Sequence, residues 1–155
     1  MRVGVWCVVG GLVLAAAVVA GCGDESVRYH RQACELADAI EVDGLQRHSV
    51  RSGQFVDRID CSRAFFFGPP PDDLRAAVIA PRFELRAPTR ALFTVDPGST
   101  YVLSGTGPEA CSMTVERYEQ TAMLDPWLGL SDDQRQAIRA GTSVLFEFLV
   151  NCAPE

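Results

Sequence analysis

Apolar positions recur with two different periods along this chain. From Ser26 to Ile40, Val27, His30, Cys34, Ala37 and Ile40 lie three or four residues apart, which predicts a short helix ended by Gly44. From Gly53 the period becomes two. Phe55, Ile59, Cys61, Phe65 and Phe67 fall on alternate positions and predict a strand over 55–67, broken by Gly68-Pro69-Pro70-Pro71-Asp72-Asp73. Leu74–Ile79 then predicts one helical turn before the chain extends again. Ile79, Phe83 and Leu85 alternate with Arg82, Glu84 and Arg86, with Pro81 at an edge or break. Ala91, Phe93 and Val95 alternate next, Asp96-Pro97-Gly98-Ser99 turns, and Thr100–Ser104 extends. After a turn at Gly105-Thr106-Gly107-Pro108, Cys111, Met113 and Val115 begin another strand. Ser131-Asp132-Asp133-Gln134 has the form of a cap opening a helix to Arg139, with Gly141 at its end. In Val144–Cys152 the residues Val144, Phe146, Phe148, Val150 and Cys152 share one face. Leu145 and Leu149 make the other face partly apolar, so an interior strand covered on both sides is expected.

Five or six alternating strands, Pro/Gly turns and few long helices point to a mainly-β sandwich with one or two short helices. The run Phe93-Thr94-Val95-Asp96-Pro97-Gly98-Ser99-Thr100-Tyr101-Val102-Leu103-Ser104-Gly105 resembles the strand–turn–strand of jelly-roll carbohydrate-binding modules. That resemblance implies a jelly-roll-like architecture and a glycan as one class of ligand.

The first residues belong to a different design. Arg2 precedes an uncharged, mostly apolar run from Val3 to Ala20, and polarity switches at Gly23-Asp24-Glu25, the order of a secretory signal. Val19-Ala20-Gly21-Cys22 closes that run and resembles the lipobox of bacterial lipoproteins. The resemblance implies a thioether-linked diacylglycerol on Cys22, cleavage before it and acylation of the freed amine. Two or more acyl chains make such attachment stable. The expected organisation is a signal over 1–21, a lipidated tether over 22–27 and one extracytoplasmic domain over 28–155. The resemblance also implies a cell-envelope location, on the outer membrane if there are two, since lipoproteins kept on the inner membrane tend to carry an aspartate after the cysteine and here Gly23 follows it.

Net charge narrows the partners. The chain carries 14 basic against 20 acidic side chains, a formal charge of −6, and loses Arg2 with the signal. An acidic domain gains nothing from counterion release on nucleic acid or from attraction to anionic lipid, so neither is expected as a docking partner. The membrane is reached through the lipid alone, and a glycan or an envelope protein remains as partner. No lysine occurs, which removes Schiff-base and lysine-base mechanisms.

Of six cysteines, Cys7 leaves with the signal and Cys22 is the lipidation site. Cys34, Cys61, Cys111 and Cys152 form an even set in an exported domain and are expected in two disulfides. Three connectivities are open. Sequential pairing, Cys34–Cys61 and Cys111–Cys152, is preferred because each pair closes a local unit. Zinc is not expected, since no CxxC or HxxxH spacing occurs, and no cofactor is implied.

No catalytic constellation is visible. There is no Gly-x-Ser-x-Gly, and nothing marks His30 or His48 as a general base. Acidic pairs stand at Asp57/Asp60, Asp72-Asp73 and Asp132-Asp133, and the last two have plain explanations as a turn and a helix start. Gly105-Thr106-Gly107 lacks the lysine of a phosphate cradle. Among aromatics, Trp127 in a loop, Tyr101 and Phe66 are the candidate ligand contacts; Phe66 breaks the alternation of its strand and must be covered by a second layer, packed at an edge, or exposed. The chain is therefore read as a lipid-anchored binding module, with a glycan as one ligand. The alternatives are an inhibitor of a secreted hydrolase, which small acidic disulfide-bearing lipoproteins resemble, and a carbohydrate-active enzyme using paired carboxylates.

Overall fold

The computed structural model describes residues 25–50, 61–88, 99–118 and 128–153. Helix α1 covers residues 25–38, so residues 25–27, assigned to the tether by sequence, are already helical. The chain then forms β1 (Glu41–Val42), β2 (Gln46–His48), β3 (Arg63–Gly68), α2 (Leu74–Ala77), β4 (Val78–Ile79), β5 (Glu84–Arg86), β6 (Ser99–Thr106), β7 (Cys111–Tyr118), α3 (Asp132–Arg139) and β8 (Val144–Cys152). Strands outweigh helices, as the alternating pattern predicts. The strands make two antiparallel sheets, one of six in the order β2-β3-β8-β7-β6-β5 and one of two pairing β1 with β4. The layers are unequal but sandwich-like: the small sheet and α1 cover one face of the large sheet.

The covered face holds the larger core. Ala33, Leu36, Ala37 and Ile40 from the α1 segment meet Phe66, Met113, Val115, Phe146 and Phe148, with Val42 and Val78 beside them. The buried stripe of α1 differs from the predicted one at its start. Val27 is 57% exposed and His30 is exposed, because only the second half of the helix lies over the sheet. Arg47 of β2 donates to the backbone oxygens of Asp38 at 2.9 Å and of Ala37 at 3.2 Å, the latter also accepting from Ile40 N, so it caps the carbonyl end of the helix. Its guanidinium lies 5.9 Å from the Phe66 ring centroid, so one side chain joins helix, strand and core.

A second, smaller core lies on the opposite face, where Phe65 and Leu145 pack against Leu128, Leu130 and Ile138. Here α3 opens at the cap read from the sequence, which the structure shows to be a capping box: the Ser131 side chain accepts from Gln134 N at 3.2 Å, and Gln134 Oε1 accepts from Ser131 N at 2.8 Å. His48 lies in β2, and its Nε2 is 2.6 Å from the Leu128 oxygen. That contact ties the covering segment to the sheet edge.

Two-sided burial explains β8. It sits between β3 and β7, with Phe146, Phe148 and Val150 toward α1 and Leu145 toward α3. It also explains Phe65-Phe66-Phe67. The predicted strand starts later, at Arg63, and its principal core face carries Ala64 and Phe66. Phe65 and Phe67 point the other way, toward α3. Positions 55–60 of that prediction lie outside the described residues, as do Ala91, Phe93, Val95 and the turn 96–98. Thr100–Ser104 lies within β6 as predicted.

Local signals near the middle of the chain hold as read. Asp73 caps the single turn α2 by accepting from Ala76 N at 3.2 Å, and the chain extends directly into β4. Cys34 bonds to Cys61 and Cys111 to Cys152, the sequential pairing. The first joins α1 to the turn before β3. The second joins two residues that face each other across β7 and β8. At Gly107 a Cβ would lie 2.6 Å from Phe83 Cε1, so only glycine lets the β6–β7 turn close over that ring.

Candidate functional site

Side chains on the α3-facing side of the large sheet form rows across the strands, because directly paired residues share a face. One row runs Gln46, Phe67, Leu145, Tyr118, Ser99. The next runs His48, Phe65, Glu147, Glu116, Tyr101. A third runs Arg63, Leu149, Thr114, Ser104, Arg86. Polarity therefore rises along the face, from the apolar cover of α3 to Ser112 and Asn151, which are exposed. A register shift between Tyr101 and Leu103 lets Tyr101 stay opposite Glu116 while Leu103 turns into the core.

The middle of this face holds a charged cluster. Glu147 is only 6% exposed, in the centre of the most buried strand. Its Oε1 accepts from Arg63 Nη1 at 2.6 Å and its Oε2 accepts from the Tyr118 hydroxyl. Glu116, on the neighbouring strand, accepts from Ser99 Oγ at 2.7 Å. A carboxylate removed from water is tolerated when both oxygens have donors and a guanidinium supplies the opposite charge. Arg63 keeps 40% of its side chain exposed, so solvent screens the pair; its principal effect is to fix orientation.

Tyr118 registers this environment. Burial pushes its phenol well above the ordinary value of 10.0, and the hydrogen bond to Glu147 and the charges of Glu147 and Glu116 push the same way, against a smaller opposing effect of Arg63. The folded phenol thus keeps its proton where an unfolded tyrosine loses it. The resulting stabilisation is complete below pH 10 and is lost as pH rises beyond it. Tyr118→Phe is expected to cost about 1–3 kcal/mol at neutral pH, through the lost bond to a charged acceptor. It should also flatten the alkaline limb of a stability–pH curve measured by urea denaturation; equal alkaline slopes in both proteins would contradict this.

The residues singled out by sequence are scattered. Cys22, Trp127, Asp57 and Asp60 lie outside the described residues. Tyr101 is half-buried on the polar rows beside Glu116. Phe66 is not a surface aromatic: it is 3% exposed, with its ring edge-on to Phe148 at 5.2 Å on the α1 side, where α1 and the small sheet cover it. Tyr101 and Phe66 therefore share no groove. Asp132 and Asp133 occupy the first turn of α3, the helix start read from the sequence, whereas Asp73, read as part of a solvated turn, is the N-cap of α2.

Sequence reasoning missed Arg63, Glu116, Tyr118, Glu147 and Ser99. One signal was present. In Phe146-Glu147-Phe148 a carboxylate interrupts a strand argued to be covered on both faces, and such a group must find partners. Their identity was hidden, since Arg63 lies 84 residues away in sequence. A second grouping involves His30, which is exposed. Without any HxxxH or CxxC, the fold still brings His30 beside Cys34 and Cys61. His30 also lines a cleft of about 390 Å³ between the start of α1 and the end of β8, with Tyr29, Ser62 and Asn151.

Among the described residues no helix is long and apolar enough to cross a membrane. No family model, curated protein or solved structure matches the chain.

Proposed function

We propose that this chain is a lipid-anchored, extracytoplasmic binding module whose ligand, a glycan, lies on the polar rows of the six-stranded sheet. The observation that supports this reading is the row Glu147, Glu116, Tyr101, in which hydrogen bonds from Arg63, Tyr118 and Ser99 hold the carboxylates in fixed orientations. A sugar offers apolar ring faces and a rim of hydroxyls. Tyr101 supplies an aromatic surface, Glu116 an acceptor, Arg63 donors, and Thr114 and Ser104 further polar contacts. Groups oriented before binding lose little entropy on binding. The two disulfides fit an oxidising compartment, and the lipobox-like segment supplies attachment through Cys22.

The same row bears on the enzyme reading. Opposite residues on paired strands place their Cβ atoms about 5 Å apart, close enough for a carboxylate pair. Glu147, however, is buried and commits both oxygens to internal donors. That favours a fixed acceptor network over a group that exchanges protons with a substrate.

The test uses the full chain in detergent micelles, titrated calorimetrically with solubilised envelope polysaccharide. Tyr101→Ala and Glu116→Gln are each expected to weaken binding about tenfold, equivalent to about 1.4 kcal/mol. No binding by the parent chain, or equal binding by both variants, would overturn the glycan assignment; capture of a basic secreted hydrolase instead would support the inhibitor reading. In cells, Cys22→Ser should lose lipid labelling and leave the membrane or accumulate as precursor. Unchanged labelling and partition would remove the anchor.

A further inference from the structure

The two disulfides differ in what surrounds them. Cys111 is 2% exposed and belongs to the larger core. Cys61 is exposed and Cys34 half-buried, and the exposed His30 stands beside both sulfurs. His30 Nε2 lies 3.8 Å from Cys34 Sγ and 3.6 Å from Cys61 Sγ. His30 and Cys34 are four residues apart on α1, so they project from one face of a regular helix.

We propose that His30, Cys34 and Cys61 form a second, reduced state of this fold: a site that binds a thiophilic cation such as Zn²⁺ through two thiolates and one imidazole. Tetrahedral zinc, with Zn–S of about 2.3 Å and Zn–N of about 2.0–2.1 Å, requires N···S edges of roughly 3.6 Å and an S···S edge of roughly 3.8 Å. The edge to Cys61 is already at that length, at 3.6 Å, and the edge to Cys34 is close to it, at 3.8 Å. Only the S–S edge must lengthen, which cutting the bond permits. Two ligands are fixed by the helix and the third sits in the turn that leads into β3, where Ser62 O accepts from Val150 N at 2.9 Å. Three protein ligands leave one position for water or a small ligand, the arrangement of an exchangeable site and not of a closed structural one. The cleft lined by His30 provides room beside it.

Entry into this state needs a dithiol as co-reactant. One of its thiolates attacks the exposed Cys61 Sγ, the Cys34–Cys61 bond breaks, and Cys34 leaves as thiolate. The second dithiol sulfur then attacks the mixed disulfide and releases Cys61. Two electrons pass to the protein and the dithiol departs as a disulfide. Zn²⁺ then replaces the two thiol protons, which go to solvent.

The test uses the full chain in detergent. It is reduced with a water-soluble phosphine, which cuts the same bond without offering a competing thiol, and is then titrated with Co²⁺ as a spectroscopic probe. One equivalent should produce thiolate-to-cobalt charge-transfer and tetrahedral d–d absorption, both abolished by added Zn²⁺, whereas the oxidised chain should produce neither. Bound metal should protect Cys34 and Cys61 from alkylation and leave the labelling of Cys111 and Cys152 unchanged. His30→Gln, a change at an exposed position, should weaken binding at least about tenfold, since even the outer partners of metal ligands carry effects of that size. Four results would each overturn the proposal: no thiolate–cobalt band, protection at Cys111 and Cys152 instead, unaltered affinity in His30→Gln, or loss of the far-ultraviolet circular dichroism on reduction, since the site requires the folded scaffold.

Discussion

Phe148→Ala should lower the free energy of unfolding by about 3–5 kcal/mol, the range for truncating a fully buried aromatic. Phe148 is 0% exposed in the middle of β8. Its cross-strand neighbours on the same face are Val115 and Ala64, both small and themselves buried. Neither can extend into the vacated space, and Phe66, packed edge-on at 5.2 Å, loses its ring contact. The cavity would therefore persist, because the surrounding backbone belongs to three hydrogen-bonded strands. Leu149→Ala, on the half-buried opposite face, is the internal control and should cost less. Urea denaturation of both variants in the same detergent measures the difference. Near-neutral stability of Phe148→Ala would contradict the placement of β8 as a strand covered on both sides.

Replacing Cys111 and Cys152 together by alanine should cost about 4 kcal/mol, the chain entropy regained when a loop of this length is released. The crosslink spans 41 residues of sequence and holds β7 and β8 in register at one end. Releasing Cys34–Cys61, which spans 27 residues, should cost nearly as much, because loop entropy grows only with the logarithm of length. The two bonds therefore differ in access more than in stabilisation. Graded reduction followed by alkylation and mass mapping should label Cys34 and Cys61 first. Simultaneous labelling of all four would show that the fold opens as one unit.

What could be read from sequence followed the range of the physical signal. Ser131 and Asp73 are caps whose partners lie three residues away; the first was legible, whereas the proline run before Asp73 pointed to a solvated turn. β8 was legible because apolar residues occupy alternate positions without interruption, and Leu145 added the information that its second face was covered. At β3 alternation misled, since three phenylalanines in a row satisfy either phase, and the assignment of Phe66 depended on which layer lay above it. The Glu147 cluster and the His30 group depend on pairings between distant segments. Neither leaves a spacing in the sequence, because a hydrogen bond or metal ligand set requires only proximity in space.

The ends of the large sheet carry a consequence for copies of this chain that meet at high concentration. Among the described residues its outermost strands, β2 and β5, are three residues long. β5 carries Glu84 and Arg86, joined at 2.9 Å and both exposed, and β2 carries Arg47, engaged with the end of α1. A long apolar edge offers unpaired amides and carbonyls to any neighbouring chain. Short charged edges deny that template, so copies of this chain can collide without zipping into a continuous sheet.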